Sequence, residues 1–293
     1  MKFKKQKAKS LFSVYLELSK LNILSFVLVA TLLGYYLGNQ GIGSWENLIF
    51  TLLGVSLTAA GSGALNHYLE CEPDKLMERT RNRPLPAGLI SPLHVILFGV
   101  FMVVSGSILL IWKVNLLTGF LSIMTAFLYI IVYTPLKRVT WLNTSIGSIP
   151  GALPIVGGWT AATGEISTMA WILFGIMYLW QHPHFYAISW MCKDDYAQAD
   201  FKMLPVIEPD GSRTIRQIFW HLLLMIPVSL LPVVEGSLGK IYLIGVTIIS
   251  CAFFLSAIPM AKDKSQKSAL LLLKASVFYL PALLIIIIID LGI

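Results

Sequence analysis

Between Asn66 and Gly88 the chain reads NHYLECEPDKLMERTRNRPLPAG, in which the acids Glu70, Glu72 and Asp74 are followed at once by Lys75, Arg79, Arg81 and Arg83. Asn66, Glu70 and Asp74 stand four residues apart, so a helix presents all three oxygen-bearing side chains on one face, drifting by about 40° per step. Such a donor set suits Mg²⁺ (or Mn²⁺), which takes one or two carboxylates and leaves its other positions to water and substrate phosphates. Lys75, Arg79 and Arg83 repeat the four-residue spacing, and their cationic heads match phosphate oxygens. The chemistry written here is capture of a phosphorylated anion by a divalent ion and a ring of cations. A solvated basic loop accounts for the bases but not for the clustered acids. Pro73 predicts an interruption that leaves Asp74 just past its helix, as an exposed loop carboxylate whose loss would remove activity and spare the fold.

The elements that must position these groups are membrane helices. Of 293 residues, 56% are hydrophobic and only 13% charged, against about 25% charged in soluble domains. That excludes an ordinary soluble enzyme. Apolar runs of span length recur at 23–37, 48–68, 92–112, 116–133, 142–162, 169–191, 215–234, 241–260 and 269–289, which predicts an all-α, polytopic membrane protein of nine helices around a central cavity. Placing the N-terminus in the cytoplasm puts 20 of the 22 Lys and Arg residues on the inner side, leaving only Lys113 and Lys240 outside and the C-terminus external. One missed span would exchange every later loop, so the asymmetry supports the count.

The chain reads as a single transmembrane domain over 1–293, in which 1–21 form a cytoplasmic tail and an interfacial helix. Its opening MKFKKQKAKS is a polar, basic anchor rather than a leader. The net charge of +7 reflects topology and implies no nucleic acid. Cys71, Cys192 and Cys251 form no C-x-x-C pair. A second inner loop carries Lys193-Asp194-Asp195-Tyr196. The fifth run holds Gly147, Pro150, Gly151, Pro154, Gly157 and Gly158, which reads either as close packing through small residues or as a kinked wall shaped for a bulky ligand.

A divalent ion and a diphosphate inside a membrane protein point to a lipid diphosphate. If the lipid is allylic, metal and Arg draw electrons onto the leaving group, and aromatic rings stabilise the resulting cation without a protein nucleophile. No Ser/His/Asp or Cys/His arrangement is evident, which fits.

The pattern from Asn66 to Leu85, N-x-x-x-E-x-x-x-D followed by M-x-R-T-x-x-R-P-L, resembles the UbiA-type intramembrane prenyltransferases, and within them those that act on haem. The resemblance extends to Tyr133-Thr-Pro-Leu-Lys137, Pro150-Gly-Ala-Leu-Pro154, Trp180-Gln-His-Pro-His-Phe185, Lys193-Asp-Asp-Tyr196 and Met203-Leu-Pro205. It implies transfer of a farnesyl group from farnesyl diphosphate to a vinyl group of haem b, water adding to leave a hydroxyethylfarnesyl chain. By the same resemblance Asn66, Glu70 and Asp74 carry the first metal site and Asp194 and Asp195 the second. Tyr133 and Lys137 join the first three as catalytic residues, and Lys193 joins Lys75, Arg79 and Arg83 on the diphosphate. Two departures stand out: Glu70 replaces the usual Asp, and DDY replaces D-x-x-x-D.

The partners so implied are farnesyl diphosphate, haem b, the bilayer of a bacterial plasma membrane and a haem oxidase downstream. His182 and His184, near the inner end of the sixth span, read as haem contacts, since imidazole is a common axial ligand; the competing reading is a histidine bonded to a neighbouring helix. Two other functions stay open. One is prenylation of a quinone precursor or chlorophyllide. The other is a transporter, which would place its ionisable groups near mid-membrane rather than at one face.

Overall fold

A computed structural model describes residues 10–292. The basic tail read at residues 1–9 lies outside the described residues. A short helix α1 (Leu11–Leu18) begins at Ser10, whose hydroxyl accepts from Ser13 N. Val14 and Leu18 are buried against Ala64 and Val95, while Leu11 and Phe12 project outward. This is the division an interfacial helix requires.

Spans follow as α2 (Leu21–Asn39) and α3 (Trp45–Leu69), the short α4 (Cys71–Leu76), then α5 (Pro92–Lys113). The fourth span is composite: α6 (Leu116–Phe127), a π-helical turn over Leu128–Tyr133, and α7 (Thr134–Leu136). Next come α8 (Asn143–Thr163) and α9 (Thr168–Met191), then the short α10 (Lys193–Gln198) and α11 (Leu204–Ile207). The last spans are α12 (Ser212–Val234), α13 (Lys240–Ser256) extended by α14 (Ile258–Asp263), and α15 (Gln266–Leu291). Their starts are written locally: Ser44, Ser91, Asn115, Ser167 and Ser265 each accept from the backbone N–H of the third residue on, satisfying donors that a helix end leaves orphaned.

Nine helices among the described residues have span length, and seven of them are also apolar enough to cross a membrane by composition. The other two are α8 and α9. At about 1.5 Å per residue their 21 and 24 residues still reach across a core of about 30 Å. Their composition differs because they face protein rather than lipid: 13 of the residues in α8 and 15 of those in α9 are buried. They pack on each other, α8 also against α2 and α6 and α9 also against α12 and α15.

The glycine- and proline-rich α8 does both things its sequence allows. On one face it meets α2 backbone to backbone: a Cβ on Gly34 would lie 1.9 Å from the Ile155 carbonyl oxygen, and one on Gly158 1.9 Å from that of Thr31. On another face Gly147, Pro150, Gly151, Pro154 and Gly157 line an internal cavity.

Candidate active site

The cavity, of about 400 Å³, reaches the end of the bundle that carries the two long charged loops. Its mouth is built where α3 gives way to α4. Glu70 closes α3, yet the hydrogen bonds of the turn run on, from Glu70 N to Asn66 O (2.9 Å) and from Asp74 N to Glu70 O (2.8 Å). Pro73 falls in the first turn of α4, where its missing N–H costs nothing. The expected interruption is therefore mild, and Asn66, Glu70 and Asp74 keep one common face. They are also deeply buried, at 0%, 6% and 0% exposure. Asp74 is thus not an exposed loop carboxylate. Arg83 Nη1 donates to both of its carboxylate oxygens, at 2.9 and 2.7 Å, its carbonyl accepts from Thr80 Oγ1, and the ring of His67 stands behind it, 4.0 Å from Oδ2.

Each member of the triad has a cation or donor from another element. Lys137 Nζ donates to Glu70 Oε1 at 2.6 Å and lies 4.6 Å from the centre of the Tyr133 ring. The Asn66 amide donates to Thr134 Oγ1 (2.9 Å), which in turn donates to Tyr129 O (2.8 Å). The Thr134 backbone N–H donates to the same Tyr129 carbonyl, five residues back, and that is the bond of the π turn that aims Tyr129 and Tyr133 at the cavity. Such turns recur at functional sites. Burial pushes the Glu70 carboxyl up, but the Lys137 and Lys20 ammonium groups outweigh it and hold Glu70 below its usual range.

Lys20 is the residue that sequence reasoning missed. It stands at the end of the 1–21 segment read as a tail and an interfacial helix, but the chain takes a left-handed turn there (φ 49°) between α1 and α2. The turn sends the side chain inward, where Nζ donates to Asn66 Oδ1. Burial lowers its pKa to about 7. An isolated lysine 46 residues before Asn66 carries no spacing signal.

The two charged loops meet as a roof. Met77 from the first packs with Ala199, Phe201 and Met203 from the second, and the Asp195 carboxylate accepts from Glu78 N at 3.0 Å and stands 3.7 Å from Arg79 Nε. Arg79 also lies over the Tyr196 ring, 4.8 Å from its centre. Arg79, Arg83 and Tyr196 line the cavity. Lys75, Lys193, Asp194 and Asp195 do not, and Asn66 sits behind the lining with its amide bonded to Lys20 and Thr134. Lys75 pairs with Glu72 on the outer surface, the two side chains 46% and 78% exposed. Lys193 lies over Trp190. Asp194 is exposed and Asp195 ties the loops together, so neither reaches the triad. The short α10 allows only one of two successive acids to turn inward.

The two histidines separate as well. His184 lines the cavity, with Nδ1 2.8 Å from Ser276 Oγ and its ring stacked on Trp180 (5.1 Å) beside Phe26 (6.3 Å). His182, two residues earlier, faces away. Its Nδ1 bonds to Tyr178 O, its Nε2 to Ser145 Oγ, and its ring stacks on His221 at 3.7 Å. Helical geometry puts residues two apart on nearly opposite faces, so only one could serve a ligand in the cavity, and His182 is the structural one.

Whether a divalent ion fits can be judged from the donors. Among the described residues no three His, Cys, Asp or Glu side chains come together as a self-sufficient metal cage. Two carboxylates and an amide oxygen, buried on one face beside a basic mouth, instead suit Mg²⁺, which keeps positions for water and phosphate. The residues present fit such an ion.

Residues 27–280 match the model of the UbiA prenyltransferase family. A protein of Solibacter usitatus named protoheme IX farnesyltransferase is 39% identical over 285 residues, covering 94% of this chain and 98% of that protein. One of the same name from Salinibacter ruber is 43% identical over 276 residues, with the same coverage. Among solved structures, one described as digeranylgeranylglyceryl phosphate synthase superposes with a TM-score of 0.78 at 17% identity, over 96% of this chain and 98% of that one. A UbiA homologue from Archaeoglobus fulgidus bound to GPP and Mg²⁺ gives 0.67 at 15% identity, over 94% and 99%. At those identities the likeness speaks for the fold alone.

Proposed function

The chain belongs to the UbiA prenyltransferase family, and from that premise we propose how its cavity works: farnesyl diphosphate is held at the mouth with its chain in the cavity, and haem b is farnesylated beside it. The carrying observation is the position of a buried carboxylate and cation layer at the mouth of an otherwise largely apolar chamber. The relatives named protoheme IX farnesyltransferase share 39% and 43% of their residues with it over nearly the whole chain. It is a prenyltransferase and an integral membrane protein.

Asn66, Glu70 and Asp74 hold Mg²⁺, or Mn²⁺ in its stead. The bound ion supplies Lewis-acid stabilisation of the charge that collects on the diphosphate. Lys20, Arg79, Arg83 and Lys137 surround the same space as donors to diphosphate oxygens. Arg83 and Lys137 neutralise Asp74 and Glu70 and are largely withdrawn from water, so these cations are aimed at the space where the leaving group sits. Such preorganisation is what electrostatic catalysis needs.

As the C–O bond at C1 of the farnesyl group breaks, its electron pair leaves with the diphosphate. The Tyr129 and Tyr133 rings, 5.6 Å apart, face the allylic cation and stabilise it through their π faces. The haem vinyl group gives its π electrons to C1, and water closes the second cation as a hydroxyl with loss of a proton. The haem plane is placed against Phe26, Trp180 and His184, whose Nδ1 bond to Ser276 leaves Nε2 for the iron. The charged mouth faces the cytoplasm, a reading that the 20-to-2 division of basic residues supports. A haem oxidase would receive the product.

The test is mass analysis of haem formed from farnesyl diphosphate and haem b by the purified protein. A product heavier by one farnesyl group and one hydroxyl group is expected. Unchanged haem with turnover of an aromatic quinone precursor would replace the acceptor and leave the family chemistry standing.

A further inference from the structure

The far end of the cavity lies between α6 and α8, and there one residue lacks any local reason to be glycine. Glycine is among the worst helix formers, and in α8 it is otherwise explained by close contact: a Cβ on Gly147 would lie 2.4 Å from the Tyr133 ring, on Gly151 1.9 Å from Gln181 Oε1, on Gly158 1.9 Å from Thr31 O. Gly157 differs from all of these. Alone among the helical glycines of the described residues, a Cβ built on it meets nothing within 4 Å, although the residue itself is buried. The space it leaves is cavity.

Just beyond Gly157 the cavity ends. Thr160 Oγ1 is 2.9 Å from Thr118 Oγ1, and the Thr160 carbonyl accepts from the Asn115 amide at 2.8 Å. These bonds tie α6 to α8 as a floor. Gly157 is the last residue of α8 on the cavity wall, and Ser122 of α6 lines the same end.

The depth can be read along α8. Gly147 sits level with the Tyr133 ring, under Lys137, where the diphosphate end of the donor is placed. Gly157 is ten residues further on, or about 15 Å at 1.5 Å per residue. An extended chain advances about 1.2 Å per backbone bond. The eleven carbon–carbon bonds of a farnesyl main chain then span about 13 Å, the seven of a geranyl chain about 8 Å, and the fifteen of a geranylgeranyl chain about 18 Å. Only the C15 chain reaches the floor without overrunning it.

We infer that Gly157 sets the prenyl chain length: its missing side chain is the space taken by the terminal isoprene unit of a C15 donor. The inference rests on the farnesyl-transfer reading above and adds the residue that selects among donors. Leucine at this position would fill the end of the cavity from α8, and leucine at Ser122 would fill it from α6.

The experiment is a competition among geranyl, farnesyl and geranylgeranyl diphosphates for haem b, read by the masses of the products. Wild type should give mainly the C15 product. Gly157→Leu should raise the C10-to-C15 ratio by about tenfold or more, since a single methylene in an apolar pocket already discriminates by that order. Ser122→Leu should shift the ratio in the same direction. It keeps the test decisive if Gly157→Leu does not fold, which thermal unfolding in detergent reports. A wild-type product ratio in folded Gly157→Leu or, failing that variant, in Ser122→Leu overturns the assignment. Wild type that transfers no prenyl group from any of the three donors instead overturns the functional reading, and the ruler falls with it.

Discussion

Lys137 Nζ stands 2.6 Å from Glu70 Oε1, with 14% and 8% of the two side chains exposed. The two belong to different spans, 67 residues apart, and neither charge has much water. Removing one partner of such a buried pair is costly because the other stays behind uncompensated. Lys137→Met should therefore destabilise the protein by about 3 kcal/mol and abolish transfer. Adding Glu70→Gln should restore part of the stability and none of the activity. Thermal unfolding in detergent alongside turnover checks both, and a double variant no more stable than Lys137→Met would dissolve the pair.

Asp74→Ala should cost stability as well as activity, because Arg83, itself only 24% exposed, would lose its carboxylate partner. Asp74→Asn keeps an acceptor there and should fold better while remaining inactive. Both variants should lose the dependence of farnesyl diphosphate binding on divalent metal. Full wild-type turnover in excess chelator would remove the ion from the mechanism.

Lys20→Met should weaken farnesyl diphosphate binding by about tenfold or more, since hydrogen bonds to charged groups contribute about 1.5–3 kcal/mol. Lys20→Arg should recover part of that loss. Calorimetric titration with a non-hydrolysable analogue distinguishes this from a role confined to the turn before α2, which would leave the affinity untouched.

His184→Ala should diminish the Soret band of haem-loaded protein. His182→Ala should leave it intact and lower thermal stability, through loss of the bonds to Tyr178 and Ser145 and the stack on His221. Equal spectra in the two variants would mean the haem is held elsewhere.

Lys75→Ala and Lys193→Ala should each change kcat/KM by less than about twofold, as expected of surface charges that do not line the site. Asp195→Ala should raise KM for farnesyl diphosphate by freeing Arg79 and the roof. A larger effect at Lys75 than at Asp195 would reverse the assignment of the two loops.

Composition, span length and the inner bias of Lys and Arg were enough for an all-helical membrane protein, because the bilayer imposes its length and charge rules on the sequence directly. Local spacing was enough for Asn66, Glu70 and Asp74, since four-residue steps along one helix are short-range geometry and Pro73 happened to fall where a helix tolerates it. The tertiary structure decided what spacing cannot carry. Arg79 and Arg83 turn inward while Lys75, on the same four-residue repeat, turns out, because the chain after Leu76 is no longer helical and the repeat loses its meaning. His184 reaches the cavity and His182 does not because the orientation of α9 is set by its packing on α8, α12 and α15. Lys20 enters the site through one left-handed turn, and the open space at Gly157 exists only because α6 and α8 meet beyond it. Each of these depends on contacts between segments far apart in the chain, where no local pattern records which face will be inside.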